Sequence, residues 1–183
     1  MKKTLRLLLM TVMAICFSLP CFGAAEAATV ALLPLINNVE GGDELANTVF
    51  YKNALSVLNS KKGFVVVEND KLNAVIEDAK IGNKVPDAVT MAKIAKDGDV
   101  DIVIAIQLDK LEDYPLNAGE ETKLQLDMKG YTAAYNRITG KAYTHRIWGD
   151  KVIAEALTSR WDWTHEEFGR TVRVEVDRAL RAK

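Results

Sequence analysis

Two cysteines are all the chain has, Cys16 and Cys21, and no thiol follows them. The later residues can therefore form no disulfide, thiolate-bound metal site or cysteine nucleophile, and their stability must come from packing alone. Histidine is equally scarce, with only His145 and His165. Neither belongs to an H-E-x-x-H pattern, and no serine sits in a G-x-S-x-G elbow, so hydrolase chemistry of the zinc or serine kind has no framework here. Net charge is also missing: 24 basic against 25 acidic side chains leave nothing that points to nucleic acid as a partner. Beyond the first thirty residues no apolar run is long enough to cross a bilayer, which takes about 20 residues.

Those first residues are patterned. A basic start, Met1-Lys2-Lys3-Thr4-Leu5-Arg6, leads into an apolar run from Leu7 to Phe17, broken at Pro20 and closing on Ala25-Glu26-Ala27. That is the layout of a cleaved secretory signal, with the small-x-small site placing cleavage after Ala27; an uncleaved anchor is the alternative. Cys16 follows Ile15 and Cys21 follows Pro20, where a lipid-modified cysteine needs small residues before it. The expectation is a signal peptide over 1–27 and one α/β domain over 28–183, exported to the periplasm or beyond, peripheral to the outer membrane if it meets one. Without Lys2, Lys3, Arg6 and Glu26 the net charge falls to about −3.

The remainder alternates between strand and helix signals. Thr29 to Leu35 is a nearly continuous apolar run and predicts a central strand. A helix follows over about Asp43 to Ser60, with Ala46, Phe50, Ala54 and Val57 inward and Thr48, Lys52, Ser56 and Asn59 outward. Phe64-Val65-Val66-Val67-Glu68 predicts a second strand opening into a helix capped by Asp70, with Leu72, Val75, Ile76 and Ala79 on its apolar face and Gly82 at its end. A third helix begins near Asp87, and Val100 to Leu108 predicts a third strand. Beyond Pro115 and Gly119 the period changes to two, with Leu124, Leu126 and Met128 alternating with Lys123, Gln125, Asp127 and Lys129, as in an antiparallel strand with one wet face. Asn136 to Lys141 reads as a hairpin turn with Gly140 at positive φ, and the returning strand runs from Ala142 towards Leu157. Thr164-His165-Glu166-Glu167 has the form of a capping box for a last helix with Phe168, Val172, Val176 and Ala179 inward. This order predicts an α/β (α+β) fold: a single mixed sheet of about five strands with helices packed on it.

Candidate chemistry is thin. Asp109 with Glu112-Asp113, or Glu120-Glu121, offers carboxylates for acid–base work, although acidic residues at strand ends are usually solvated. Gly41-Gly42-Asp43 lacks the spacing of a phosphate loop. The aromatic residues crowd the last third, Trp148, Trp161 and Trp163 with Tyr131, Tyr135 and Tyr143. Trp161, Trp163, Tyr131 and Tyr135 are the candidate partner-binding surface, and burial in the core is the competing reading. No catalytic, cofactor-binding or metal-ligating residue emerges, and no cofactor is expected.

Several stretches resemble one group of envelope proteins: Val30-Ala31-Leu32-Leu33-Pro34-Leu35, Phe64 to Glu68 leading into Leu72, Val75, Ile76 and Glu77, Ala92-Lys93-Ile94-Ala95 before Asp101 to Ala105, and Tyr135 to Lys141 around the Thr139-Gly140 turn. The group comprises the curli-secretion channel protein, the outer-membrane activators of penicillin-binding proteins and the N-terminal domain of the TolB translocation protein. The resemblance implies a TolB N-terminal-like or curli-secretion-like fold and a role in envelope assembly without catalysis. The chain departs from the group in its missing lipidation motif, and Lys123, Asp127, Lys129 and Asn136 mark strands unlike a long lipid-facing hairpin. Three functions remain open: a module binding another envelope protein or envelope component, an oligomeric subunit of a secretion or transport assembly, and an enzyme with an unrecognised carboxylate site. A homo-oligomer is compatible with the first two.

Overall fold

The computed structural model describes residues 27–40, 46–118, 121–153 and 160–181, with side chains described for these except at 46, 113, 115–118, 121–124, 150–153 and 160–163. The first apolar run forms β1 (Ala28–Leu32), which lies centrally as expected, parallel to β3 (Phe64–Val66) on one side and to β4 (Ile102–Ala118) on the other. Pro34 cannot donate to a ladder, so pairing stops there and resumes at β2 (Ile36–Asn37). Val30 to Leu32 face Ile102 to Ile104, whereas Ile36 and Asn37 face Gln107 and Leu108, a one-residue slip across the proline.

β4 then pairs antiparallel with β5 (Glu121–Asn136), and β5 with β6 (Lys141–Ile153), giving one mixed sheet in the order β3-β1-β4-β5-β6 with β2 on β4. Gly140 does take positive φ in the β5–β6 turn. The third strand is far longer than its apolar run: pairing continues through Pro115 to Ala118, opposite Glu121. Past Leu108, β4 has no described strand on its other side, so a proline without an N–H is tolerated there. The hairpin is thus longer than the apolar runs predict, and it carries Lys110, Glu112, Asp127 and Lys129 among its described side chains.

Four helices cover the sheet. A π-helical turn (Ala46–Tyr51) runs into α1 (Lys52–Ser60), and α4 (Arg160–Leu180) lies on the same face; Phe50, Ala54, Leu58, Phe168, Val172 and Val176 pack there on Val30, Ile104, Met128 and Ile147. On the opposite face α2 (Asp70–Asp78) and α3 (Ala88–Asp97) bury Leu72, Met91, Ile94 and Ala95 against Ala31, Val103, Ala105 and Ala133.

Three helix boundaries differ from the sequence reading. Asn69, in extended conformation, accepts from Leu72 N at 2.8 Å and is the N-cap of α2, so Asp70 is its first helical residue. Beyond the end of α2, Lys80 and not Gly82 adopts positive φ. Finally, α4 starts at Arg160 and Thr164 is buried within it. Glu167 there binds Arg170 at 2.6 Å and its carbonyl accepts from Thr171 Oγ1, because a Thr-x-x-Glu spacing suits a helix interior as well as its start.

Asp101 joins three segments at the base of the sheet. Its Oδ2 accepts from the backbone N and hydroxyl of Thr29, both at 3.0 Å, and its Oδ1 from Arg137 at 3.0 Å. The Thr29 backbone N–H, with help from Arg137, holds this carboxyl below the ordinary carboxylate range. Its folded pKa is depressed, so its stabilisation is present above the unfolded value, near 3.8, and disappears as pH falls through the folded value. We expect Asp101→Ala to lower stability by roughly 2 kcal/mol at pH 7, as charged hydrogen bonds contribute. The difference from wild type should shrink below pH 4, which urea titrations at several pH values measure; a pH-independent difference would show that the carboxylate charge contributes nothing.

Candidate functional site

The β4–β5 register shifts between Leu108 and Lys110, leaving Asp109 in a bulge. Asp109 Oδ1 accepts from Gln107 Nε2 at 2.6 Å and from Asn38 Nδ2 at 2.8 Å. Gln107 is only 5% exposed, and its Oε1 accepts from Val85 N at 2.8 Å; Asn38 also donates to the Asn83 carbonyl at 3.0 Å. Two amides and one carboxylate thus tie the segment after α2 to the sheet. Asn38, Asn83, Lys84, Val85, Gln107, Asp109, Tyr131 and Thr144 line a cleft of about 820 Å³. A neighbouring cleft of about 500 Å³ shares Asn38 and Asn83 and reaches Ile76 and Lys80. Both lie where β1 and β2 end, the region where open α/β sheets take their ligands.

The cleft opens onto a sheet face that α2 and α3 leave bare. Beyond Ala133, which α2 and α3 cover, the cross-strand pairs on that face are Tyr131–Arg146 and Lys129–Trp148. Thr144 and Arg146 are exposed, and Trp148 is 69% exposed. Tyr131 and Trp148 are diagonal neighbours, within reach of aromatic side chains. Further along, Lys110 binds Glu112 at 2.9 Å and Asp127 at 2.7 Å, with Lys129 at 3.7 Å from Asp127. Asp127, whose hydrogen bond to Lys110 comes first, holds the Lys110 ammonium well above its usual range, and the same bond lowers the Asp127 carboxyl. This ladder keeps the outer hairpin charged and locks the register beyond the bulge.

Two of the four aromatic residues singled out in the sequence have described side chains. Tyr131 lines the cleft, while Tyr135 is half-buried against the core under α2 and α3. Trp161 and Trp163 fall in the first turn of α4, and their side chains lie outside the described residues. Of the carboxylates offered for acid–base work, Asp109 is bound by amides and Glu112 by Lys110, while Glu120 and the side chains of Asp113 and Glu121 lie outside the described residues. His145 lies 2.7 Å from the buried Glu175, whose other oxygen accepts from Arg178 at 2.6 Å. Among the described residues no group of three or more histidine, cysteine or acidic side chains could hold a metal, and no helix is long and apolar enough to cross a membrane. Asn38 and Gln107 escaped the sequence reading, and Asp109 entered it only as a carboxylate for acid–base work; the one signal for the three together is the break in alternation at Leu108-Asp109-Lys110-Leu111.

No family model and no curated protein matches the chain. Solved structures do match. A hypothetical protein from Chlamydia trachomatis aligns with a TM-score of 0.58 at 13% identity, over 85% of this chain and 99% of that one. The PelC dodecamer from Paraburkholderia phytofirmans aligns at 0.47 and 12% identity, over 87% and 91%. A lipoprotein from Neisseria meningitidis aligns at 0.44 and 11% identity, over 82% and 96%. The likeness is one of fold: a mixed sheet of about six strands with four helices.

Proposed function

We propose that the chain is an exported, non-catalytic module of the cell envelope whose partner, a protein or other envelope component, docks on the helix-free face of the outer sheet. Residues 1–27 act as the leader, removed after Ala27, and 28–183 form the working domain. One observation carries the docking surface: Trp148 stands 69% exposed on the same sheet face as Arg146 and diagonal to Tyr131, and Tyr131 lines the cleft that Asn38, Gln107 and Asp109 tie together. Large aromatic residues and arginine dominate binding energy where they cluster at an interface. The leader-like start and the sequence resemblance support the envelope setting.

The test is to recover the full exported chain, tagged at its C-terminus, from envelope extract beside a Tyr131→Ala/Arg146→Glu variant. The expected result is a mature protein beginning at Ala28 and a bound component that the variant, with an unchanged thermal melt, loses by tenfold or more. Retention of that component by the folded variant would move the surface elsewhere, and recovery from the cytoplasm with residues 1–27 intact would overturn the envelope reading.

A second reading, an oligomeric subunit, is favoured by one feature. β6 offers 13 residues of strand at the outer edge of the sheet.

A further inference from the structure

β6 pairs with β5 without a register break from Asn136–Lys141 to Leu124–Ile153, and its other side meets no described strand. Natural edge strands are blunted by prolines, bulges or brevity, because unpaired backbone groups recruit another strand. β6 has none of the three: it is 13 residues long and contains no proline. Lys141, Arg146 and Lys151 are its lysines and arginine, and Trp148, a large apolar side chain 69% exposed, lies near its middle.

The order of residues on this edge is self-complementary. By the two-residue period of the strand, the register positions that share a parity with Trp148 are Thr144, Arg146, Asp150 and Val152. We propose that a second copy of this chain pairs its β6 antiparallel to the first, with the two-fold axis at Trp148. That register sets Trp148 opposite its own copy and Arg146 opposite Asp150 twice, so an aromatic pair is flanked by two pairs of opposite charge, the combination that favours cross-strand neighbours. Moving the axis two residues towards the turn would instead set Arg146 against itself, and moving it two residues the other way would do the same to Asp150. Like charges directly opposite are unfavourable, so the pattern discriminates against both. An interface of this kind is isologous and closes at two copies. It would join two sheets into one and place two copies of the cleft on one continuous face.

This inference is independent of the docking partner: a monomer that captures a partner sinks it, and a dimer that captures none leaves it standing. With Cys16 and Cys21 the only natural cysteines, a cysteine placed on β6 reports cleanly. The exported chain should have a dimer mass by light scattering at tens of micromolar, and Trp148→Glu should give a monomer with an unchanged melt. Under mild oxidation Trp148→Cys should form a 148–148 disulfide, identified by mass spectrometry of the linked peptide. A mixture of Arg146→Cys and Asp150→Cys chains should cross-link to one another much more than either does to itself. A wild-type monomer, a larger ring without the 148–148 link, or self-linking of Arg146→Cys would each overturn the proposal.

Discussion

Replacing Gly130 by alanine is expected to cost about 4 kcal/mol, among the larger effects a single methyl group can have. Gly130 is buried in β5 opposite Leu108, the last paired residue before the bulge. A Cβ at this position would stand 2.1 Å from the carbonyl oxygen of Gln107, 3.2 Å from its carbonyl carbon and 3.3 Å from Leu108 Cα. All three are backbone atoms, so no rotamer change can clear them. Either β4 and β5 separate locally or the bulge moves, and both outcomes displace Gln107 and Asp109 from the amides that hold the cleft. Equilibrium urea unfolding should show the loss as a lower midpoint, and the partner-capture assay should fail together with it. A loss below about 1 kcal/mol would mean that the backbone relaxes freely at the bulge. Gly169 supplies a control on the same chemistry: its Cβ would meet Asn53 Nδ2 at 2.7 Å, the far end of a side chain that can rotate away. Gly169→Ala should therefore be nearly silent, or slightly stabilising through better helix propensity.

Local periodicity made the layers legible. The short apolar run at Val30 to Leu33, bounded by Pro34, reads as a strand buried on both faces, and the i, i+4, i+8 spacing of Phe168, Val172 and Val176 reads as the inner face of a helix; all seven are buried. Gly140 was legible for a similar reason, since the turn demanded a residue that accepts positive φ. What escaped depends on pairing between distant residues. The long ladder of β4 beyond Leu108 is charged and carries Pro115, so it has no apolar signature; Lys110 between Glu112 and Asp127 holds it, and Asp127 lies on another strand. The cleft is invisible for the same reason, because Asn38, Gln107 and Asp109 meet only after β2, β4 and the segment following α2 are assembled. The aromatic content of the last third was visible, but which residue faces solvent was decided by parity on β6, where Trp148 shares the bare face with Arg146 while Tyr143, His145 and Ile147 turn towards α4.

The support for that bare face lies on the other side of the sheet, and Phe168→Ala should remove it. Phe168 and Phe50 are each 2% exposed or less, and their rings meet at 5.8 Å between centroids, tilted by 36°. Truncating a buried phenylalanine to alanine costs about 3–5 kcal/mol, from lost transfer energy and the cavity left behind. Phe50→Ala should fall in the same range, and the double variant should lose about 1 kcal/mol less than the two single losses combined, the coupling of a tilted aromatic pair. The position of the loss matters as much as its size. Phe168 lies on α4, which backs β4, β5 and β6 through Val172, Val176 and Ile147, whereas α2 and α3 rest on the opposite face over Leu72 and Met91. Hydrogen exchange on Phe168→Ala should thus show β6 and α4 losing protection ahead of β1 and α3. Trp148 and Arg146 would then sit on a strand no longer held flat, and dimer mass should fall even where the variant remains folded. Protection lost uniformly over both faces would instead show that the two cores unfold as one cooperative unit, and that the edge of β6 owes nothing in particular to the Phe50–Phe168 contact.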